Sequence, residues 1–135
     1  MKVVIDTSIW SLALRRMQKI NYPIRNELAN LIEEGRVIMF GPIRQELLSG
    51  IKEQTQFFKL RDYLRAFPDL LPETSDFEQA AAFFNSCRCQ GIQGSNTDFL
   101  ICAIASRRNF SIFTTDQDFT HYKRILPIKL HNIRC

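Results

Sequence analysis

Lys2-Val3-Val4-Ile5-Asp6-Thr7-Ser8 is the stretch that decides the fold. Three β-branched apolar residues in a row read as a short strand buried on both faces, as in a parallel sheet. The chain then turns polar at Asp6, Thr7 and Ser8, each a good helix N-cap. The apolar Ile9, Trp10, Leu12, Ala13 and Leu14 follow, with Arg15 and Arg16 at the far end. The reading is strand, tight turn, helix, with a carboxylate at the carboxyl end of the first strand. Ligands of open α/β sheets bind at that edge, so the other acidic landmarks are expected to converge on Asp6.

Downstream, Asn21-Tyr22-Pro23 reads as a helix entry, Ile24, Leu28, Leu31 and Ile32 share one helical face, and Gly35 terminates it. Arg36-Val37-Ile38-Met39-Phe40 is a second strand, and Gly41-Pro42 opens a helix that carries Glu46 and ends about Gly50. A helix from Glu53 to Ala66 stops at Pro68, and Leu70-Leu71 is a candidate short strand before Pro72. Ser75-Asp76-Phe77-Glu78 has the capping-box form and predicts a helix to about Gln90. Ser95-Asn96-Thr97 caps another, which carries Asp98 in its first turn. Its apolar run from Phe99 to Ala105 makes it central and buried. Phe110-Ser111-Ile112-Phe113-Thr114 is a strand that stops in Thr115-Asp116-Gln117-Asp118-Phe119, and a last strand covers Leu126 to Leu130. Strands alternate with helices throughout, the signature of an α/β fold with a parallel sheet, here of about five strands.

The 135 residues make one domain, 1–135, with enough chain for one core. Apolar residues are 45% and charged residues 24%, which excludes a disordered chain. No apolar run approaches the ~20 residues of a membrane helix, and Asp6 and Arg15 interrupt any signal-peptide core. Cys87, Cys89, Cys102 and Cys135 lack zinc spacing, and only His121 and His131 could assist them. Reduced thiols in a cytoplasmic protein are the expectation. Net charge is +4; with four acids set aside for a site, the remainder stands at +8. An acidic pocket in a basic surface suits a polyanion held by its phosphates. Taken singly, the pairs Arg15-Arg16, Arg107-Arg108 and Lys123-Arg124 are solvated helix ends.

Four acids occupy equivalent kinds of place. Asp6 and Asp116 terminate strands, and Glu46 and Asp98 lie in or near first helical turns. In a parallel sheet those places share the carboxyl-end edge. Two carboxylates about 4 Å apart repel by about 4 kcal/mol at an effective dielectric near 20. A cluster of four must therefore hold protons or bind cations, and oxygen donors without His or Cys suit Mg²⁺ or Mn²⁺. Such ions activate water for phosphodiester cleavage.

Val3-Val4-Ile5-Asp6-Thr7-Ser8, Arg44-Gln45-Glu46-Leu47, Thr97-Asp98-Phe99-Leu100-Ile101-Cys102-Ala103 and Phe113-Thr114-Thr115-Asp116-Gln117-Asp118-Phe119, in this order, resemble the PIN-domain ribonucleases, and within them the VapC-type toxins of toxin–antitoxin pairs. The resemblance covers the whole chain. It implies helices on both faces of the sheet, an Mg²⁺-dependent endoribonuclease, homodimerisation and a cognate antitoxin. Asp6, Glu46, Asp98 and Asp116 match the four metal-holding family acids. Asp118 is auxiliary, and Thr7, Ser8 and Thr115 match small polar positions that orient the acids or contact the scissile phosphate. RNA is the implied substrate, with transfer RNA one candidate that nothing in these residues selects. An antitoxin groove would be apolar, with Trp10, Phe57 and Phe58 as candidate linings, although aromatics at helical spacing are more often core.

A dehalogenase-type phosphatase needs a second Asp where Ser8 stands, and a phosphoacceptor receiver needs paired acids after the first strand. Two alternatives keep the fold: an RNA-binding or interaction module, and an RNA-maturation nuclease without an antitoxin.

Overall fold

The structure, a computed structural model, describes residues 1–14 and 22–134. The basic pair Arg15-Arg16, Asn21 of the expected helix entry, and Cys135 lie outside the described residues. Four parallel strands, β1 (Val3–Ile5), β2 (Val37–Ile38), β3 (Ser111–Phe113) and β4 (Lys129–Leu130), form one sheet in the order β2-β1-β3-β4. β1 is buried throughout, so its uninterrupted β-branched run is the one expected of a central strand. Its register on β3 pairs Val3 with Ser111, Val4 with Ile112 and Ile5 with Phe113. That register places Asp6 opposite Thr114, and the Asp6 amide continues the ladder by donating to the Phe113 carbonyl at 2.9 Å.

The expected fifth strand at Leu70-Leu71 is reduced to a single parallel bridge between Met39 and Asp69, with the Leu70 amide donating to the Met39 carbonyl. Pro68 and Pro72 flank it, and neither can donate to a ladder, so pairing cannot extend.

The helices are α1 (Thr7–Leu14), α2 (Tyr22–Glu33), α3 (Gly41–Leu48), α4 (Gln54–Leu64), α5 (Thr74–Cys89), α6 (Asn96–Arg108) and α7 (Asp118–Ile125). Helices cover both faces. α6 lies directly against β1 and β3 and is flanked by α5 and α7, while α1 packs on α2 and α3, and α3 on α4. Every residue of α6 from Phe99 to Ala105 is buried, as its all-round apolar pattern requires. Trp10 is fully buried, with its ring 5.2 Å from that of Phe67 in an edge arrangement, so it is core and lines no groove. Phe58 is exposed, with the Arg61 guanidinium 4.7 Å above its ring. Leu28 and Leu31 of α2 are in the core, as the shared apolar face of that helix requires.

Two elements depart from expectation. α5 starts at Thr74, its capping box formed by Glu73 and Asp76 in place of Ser75 and Glu78. α7 fills 118–125, where no helix is expected, although the buried Phe119, Tyr122 and Leu126 stand at helical spacing. Its two buried residues, Phe119 and Tyr122, stand three apart, and its N-cap, Gln117, makes no side-chain cap bond.

Among the described residues no helix is long and apolar enough to cross a membrane. Cys87, Cys89 and Cys102 are free thiols. Arg107 and Arg108 do not form a free basic patch: both donate to the wholly buried Asp76.

Candidate active site at the carboxyl edge of the sheet

From β1 the chain first runs outward to β2 and later returns to place β3 on the other side of β1. The crevice beyond the carboxyl ends of β1 and β3 is thus the topological switch point, the place where such sheets bind ligands. Asp6 leaves β1 into it. Asp116 enters it from the loop after β3, and Asp98 from the first turn of α6.

Asp6 is 7% exposed and its Oδ2 accepts from Ser8 Oγ at 3.0 Å and Thr114 Oγ1 at 2.7 Å. Each hydroxyl has one proton, and each gives it to the same oxygen. As acceptors they fix the facing loop: the Thr115 amide donates to Ser8 Oγ at 3.1 Å, and the Asp116 amide to Thr114 Oγ1 at 3.0 Å. The Asp118 amide donates to Asp116 Oδ1 at 2.9 Å, the local turn that Asp favours. Ser95 caps α6 by accepting from the Asp98 amide at 3.1 Å, and Tyr122 Oη donates to Asp98 Oδ2 at 2.7 Å. Thr7 Oγ1 donates to Glu46 Oε2 at 3.0 Å, tying α3 to the edge.

Asp98, Asp116 and Asp118 each offer one oxygen, and the three lie within 4.8 Å of one another. Asp118 therefore stands in the cluster itself; Asp6, held by hydroxyls, and the exposed Glu46, bound by Thr7, are not part of that group of three. Burial raises the Asp98 carboxyl above its ordinary value. The Tyr122 hydrogen bond opposes this, and the charges of Asp6 and Asp116 add to it. Cys102, one turn further along α6, is pushed well above the usual thiol range by burial, so it stays protonated and offers no thiolate.

The donor set consists of carboxylate oxygens, the chemistry of a hard divalent cation. Two oxygens ligating one Mg²⁺ at about 2.1 Å lie at most about 4.2 Å apart, so a set within 4.8 Å closes on one ion by small side-chain rotations. The residues present fit such an ion.

Two residues of the site were not singled out in the sequence. Thr114 was legible as the residue opposite Asp6 once β1 and β3 are paired in register. The signal for Tyr122 was its helical spacing with Phe119 and Leu126, which marks α7 as an amphipathic helix.

A family profile for the PIN domain matches residues 3–125. The chain belongs to the PIN domain family. Within that family this PIN domain is similar to Ribonuclease VapC11 of Mycobacterium tuberculosis, at 30% identity over 135 residues, covering 98% of this chain and 99% of that protein. The VapC ribonuclease Mb1587 of Mycobacterium bovis matches to the same extent. Among solved structures, the PIN domain superposes on a chain of VapBC2 from Rickettsia felis bound to a DNA fragment from its promoter, with a TM-score of 0.78, 21% identity and 98% of each chain covered. It also superposes on a chain of FitAcB from Neisseria gonorrhoeae, with a TM-score of 0.77, 19% identity and 96% of each covered. At those identities the structural likeness speaks for the fold.

Proposed function

We propose that this PIN domain is a divalent-metal-dependent endoribonuclease, the toxin of a toxin–antitoxin pair, acting in the cytoplasm. The observation that carries the reading is the meeting of Asp98, Asp116 and Asp118 oxygens within 4.8 Å at the switch point of the sheet. The names of the VapC relatives, ribonucleases over nearly their full length, point the same way.

In this reading Asp6, Glu46, Asp98 and Asp116 hold Mg²⁺, with Mn²⁺ as a substitute, and Asp118 completes the oxygen set. A divalent cation in such a site lowers the pKa of water and offsets charge that builds on the phosphorus oxygens. The chain's own residues supply the geometry. Ser8 and Thr114 hold Asp6 in one rotamer, Thr7 holds Glu46, and the Asp118 amide fixes Asp116. Thr115, exposed at the rim, is placed to meet a phosphate. The substrate class is RNA, transfer RNA being one candidate, and products carry 5′-phosphate and 3′-hydroxyl ends.

The partners that go with the reading are a second copy of the chain and a cognate antitoxin. An apolar groove of about 650 Å³ between α1, α3 and α4, lined by Leu14, Leu47, Leu60 and Tyr63, suits an apolar segment of such an antitoxin.

The test is cleavage of total cellular RNA by purified protein in Mg²⁺, in EDTA, and by Asp98→Asn. Discrete fragments in Mg²⁺ only, absent with the folded variant, are expected. Intact RNA after incubation with folded, metal-loaded, partner-free protein overturns the nuclease and leaves an RNA-binding module.

A further inference from the structure

We propose that Tyr122 is a positioning residue for Asp98, and that Gly94 is the residue that gives it room to act. The proposal rests on the metal-site reading above. Tyr122 is completely buried, its ring 5.0 Å from Phe99 and 5.1 Å from Phe119, so the ring has no freedom to swing. Its hydroxyl emerges from that stack and donates to Asp98 Oδ2 at 2.7 Å. The bond engages Oδ2 and so fixes the orientation of the carboxylate that offers an oxygen to the cluster with Asp116 and Asp118. Asp98 is held at its other end by the helix cap from Ser95. Carboxylates that ligate a metal depend on such outer hydrogen bonds for orientation.

Gly94 makes the approach possible. A Cβ at this position would fall on the Tyr122 hydroxyl, 2.7 Å from Tyr122 Cζ and 3.0 Å from Phe99 Cε2. The loop backbone thus passes over the ring where only glycine fits, although nothing in its torsion angles demands glycine. The loop glycine, the Tyr122 ring of α7 and a site acid form one unit.

Calorimetric titration of metal-free protein with Mn²⁺, beside RNA cleavage across Mn²⁺ concentrations, tests this. Tyr122→Phe keeps the ring and removes the hydroxyl. It is expected to bind Mn²⁺ roughly tenfold more weakly, within the usual range for outer-shell partners, with wild-type circular dichroism and cleavage that recovers at saturating Mn²⁺. Gly94→Ala is expected to weaken Mn²⁺ binding too, and to add less in the Tyr122→Phe background than alone, because the two act through one contact. If wild type binds Mn²⁺ and cleaves RNA while folded Tyr122→Phe binds Mn²⁺ equally well, the positioning role is wrong and the nuclease stands. If wild type neither binds Mn²⁺ nor cleaves, the nuclease reading falls and takes this role with it.

Discussion

Thr114 Oγ1 donates to Asp6 and accepts from the amide of Asp116, so one hydroxyl sets the spacing of two acids that are 110 positions apart in sequence. Replacing it with an isosteric apolar side chain tests how much of the site depends on that spacing. Thr114→Val keeps the volume and the β-branched fit at the strand end. It loses both bonds and leaves Ser8 alone on Asp6. The cost in stability should be about 2 kcal/mol, the usual worth of two such bonds. The metal-dependent RNA cleavage rate should fall roughly 10- to 100-fold, the range for partners that orient metal-holding carboxylates. Thr114→Ser should restore most of it. Urea unfolding and cleavage assays on the three proteins check both numbers.

At the scale of the element, α5 and α6 are joined by one buried carboxylate. Asp76 accepts from Arg107 Nε at 2.9 Å, from Arg108 Nη1 at 2.7 Å and Nη2 at 2.8 Å, and from the Glu73 amide at 2.7 Å. It therefore caps the start of one helix and fastens the end of the next. Hydrogen bonding from Arg108 is the chief reason its carboxyl lies low, at about 2. Asp76→Asn preserves the shape and removes the charge, and is expected to lower unfolding free energy by about 2–3 kcal/mol. Glu78→Gln, on the exposed face of the same helix, should change it by less than about 0.5 kcal/mol. Comparison of the two by urea denaturation decides whether the Glu73–Asp76 box, and not the Ser75–Glu78 box that the sequence suggests, starts the helix. The sequence misleads here for a physical reason. Only Ser75–Glu78 satisfies the local rule, and the arrival on Asp76 of two arginines from a helix 31 and 32 positions on favours the Glu73–Asp76 pair instead.

At the scale of the whole molecule, two buried acids hold remote parts of the chain together, and both make it sensitive to acid. Burial would raise the Glu27 carboxyl, but hydrogen bonds with Arg134 and His131 outweigh it and bring the value down to about 2. Asp76 is likewise at about 2. A carboxyl lowered in the folded state contributes stability above its unfolded value, and that contribution is lost as pH falls toward the folded value. Each of these is worth about 2–3 kcal/mol. Asp98 has the opposite sign: its raised value means that ionising it in the metal-free fold costs stability at neutral pH. The urea midpoint of metal-free protein is therefore expected to hold near pH 5 and to drop steeply toward pH 2.5. A flat profile over that interval would contradict the buried ion pairs.

What was legible in the sequence shares one property: it is local. β1 is a β-branched run, Asp6 ends it, and Ser95 and Asp98 open α6, so each can be read within a handful of residues. What was missed depends mostly on distant partners. α7 is mostly polar and is held by Phe119 and Tyr122 in a core built by other segments. Two features stand apart as local: the amide-to-carboxylate turn between Asp118 and Asp116, and the two prolines that leave the fifth strand as one bridge. Tyr122 has a role only once that helix is docked.

The parallel pairing of β1 with β3 has a consequence for how the protein is made. Asp6 is synthesised before β3, but the register that places Thr114 beside it needs β3, and the oxygen cluster needs Asp116 and Asp118. At about 5–20 residues per second of translation, roughly 5 to 20 s separate the first acid from the last. Through that interval the nascent chain carries an aspartate with nothing to hold it and no cation to share. A chain ended short of Thr114 therefore lacks its acidic edge.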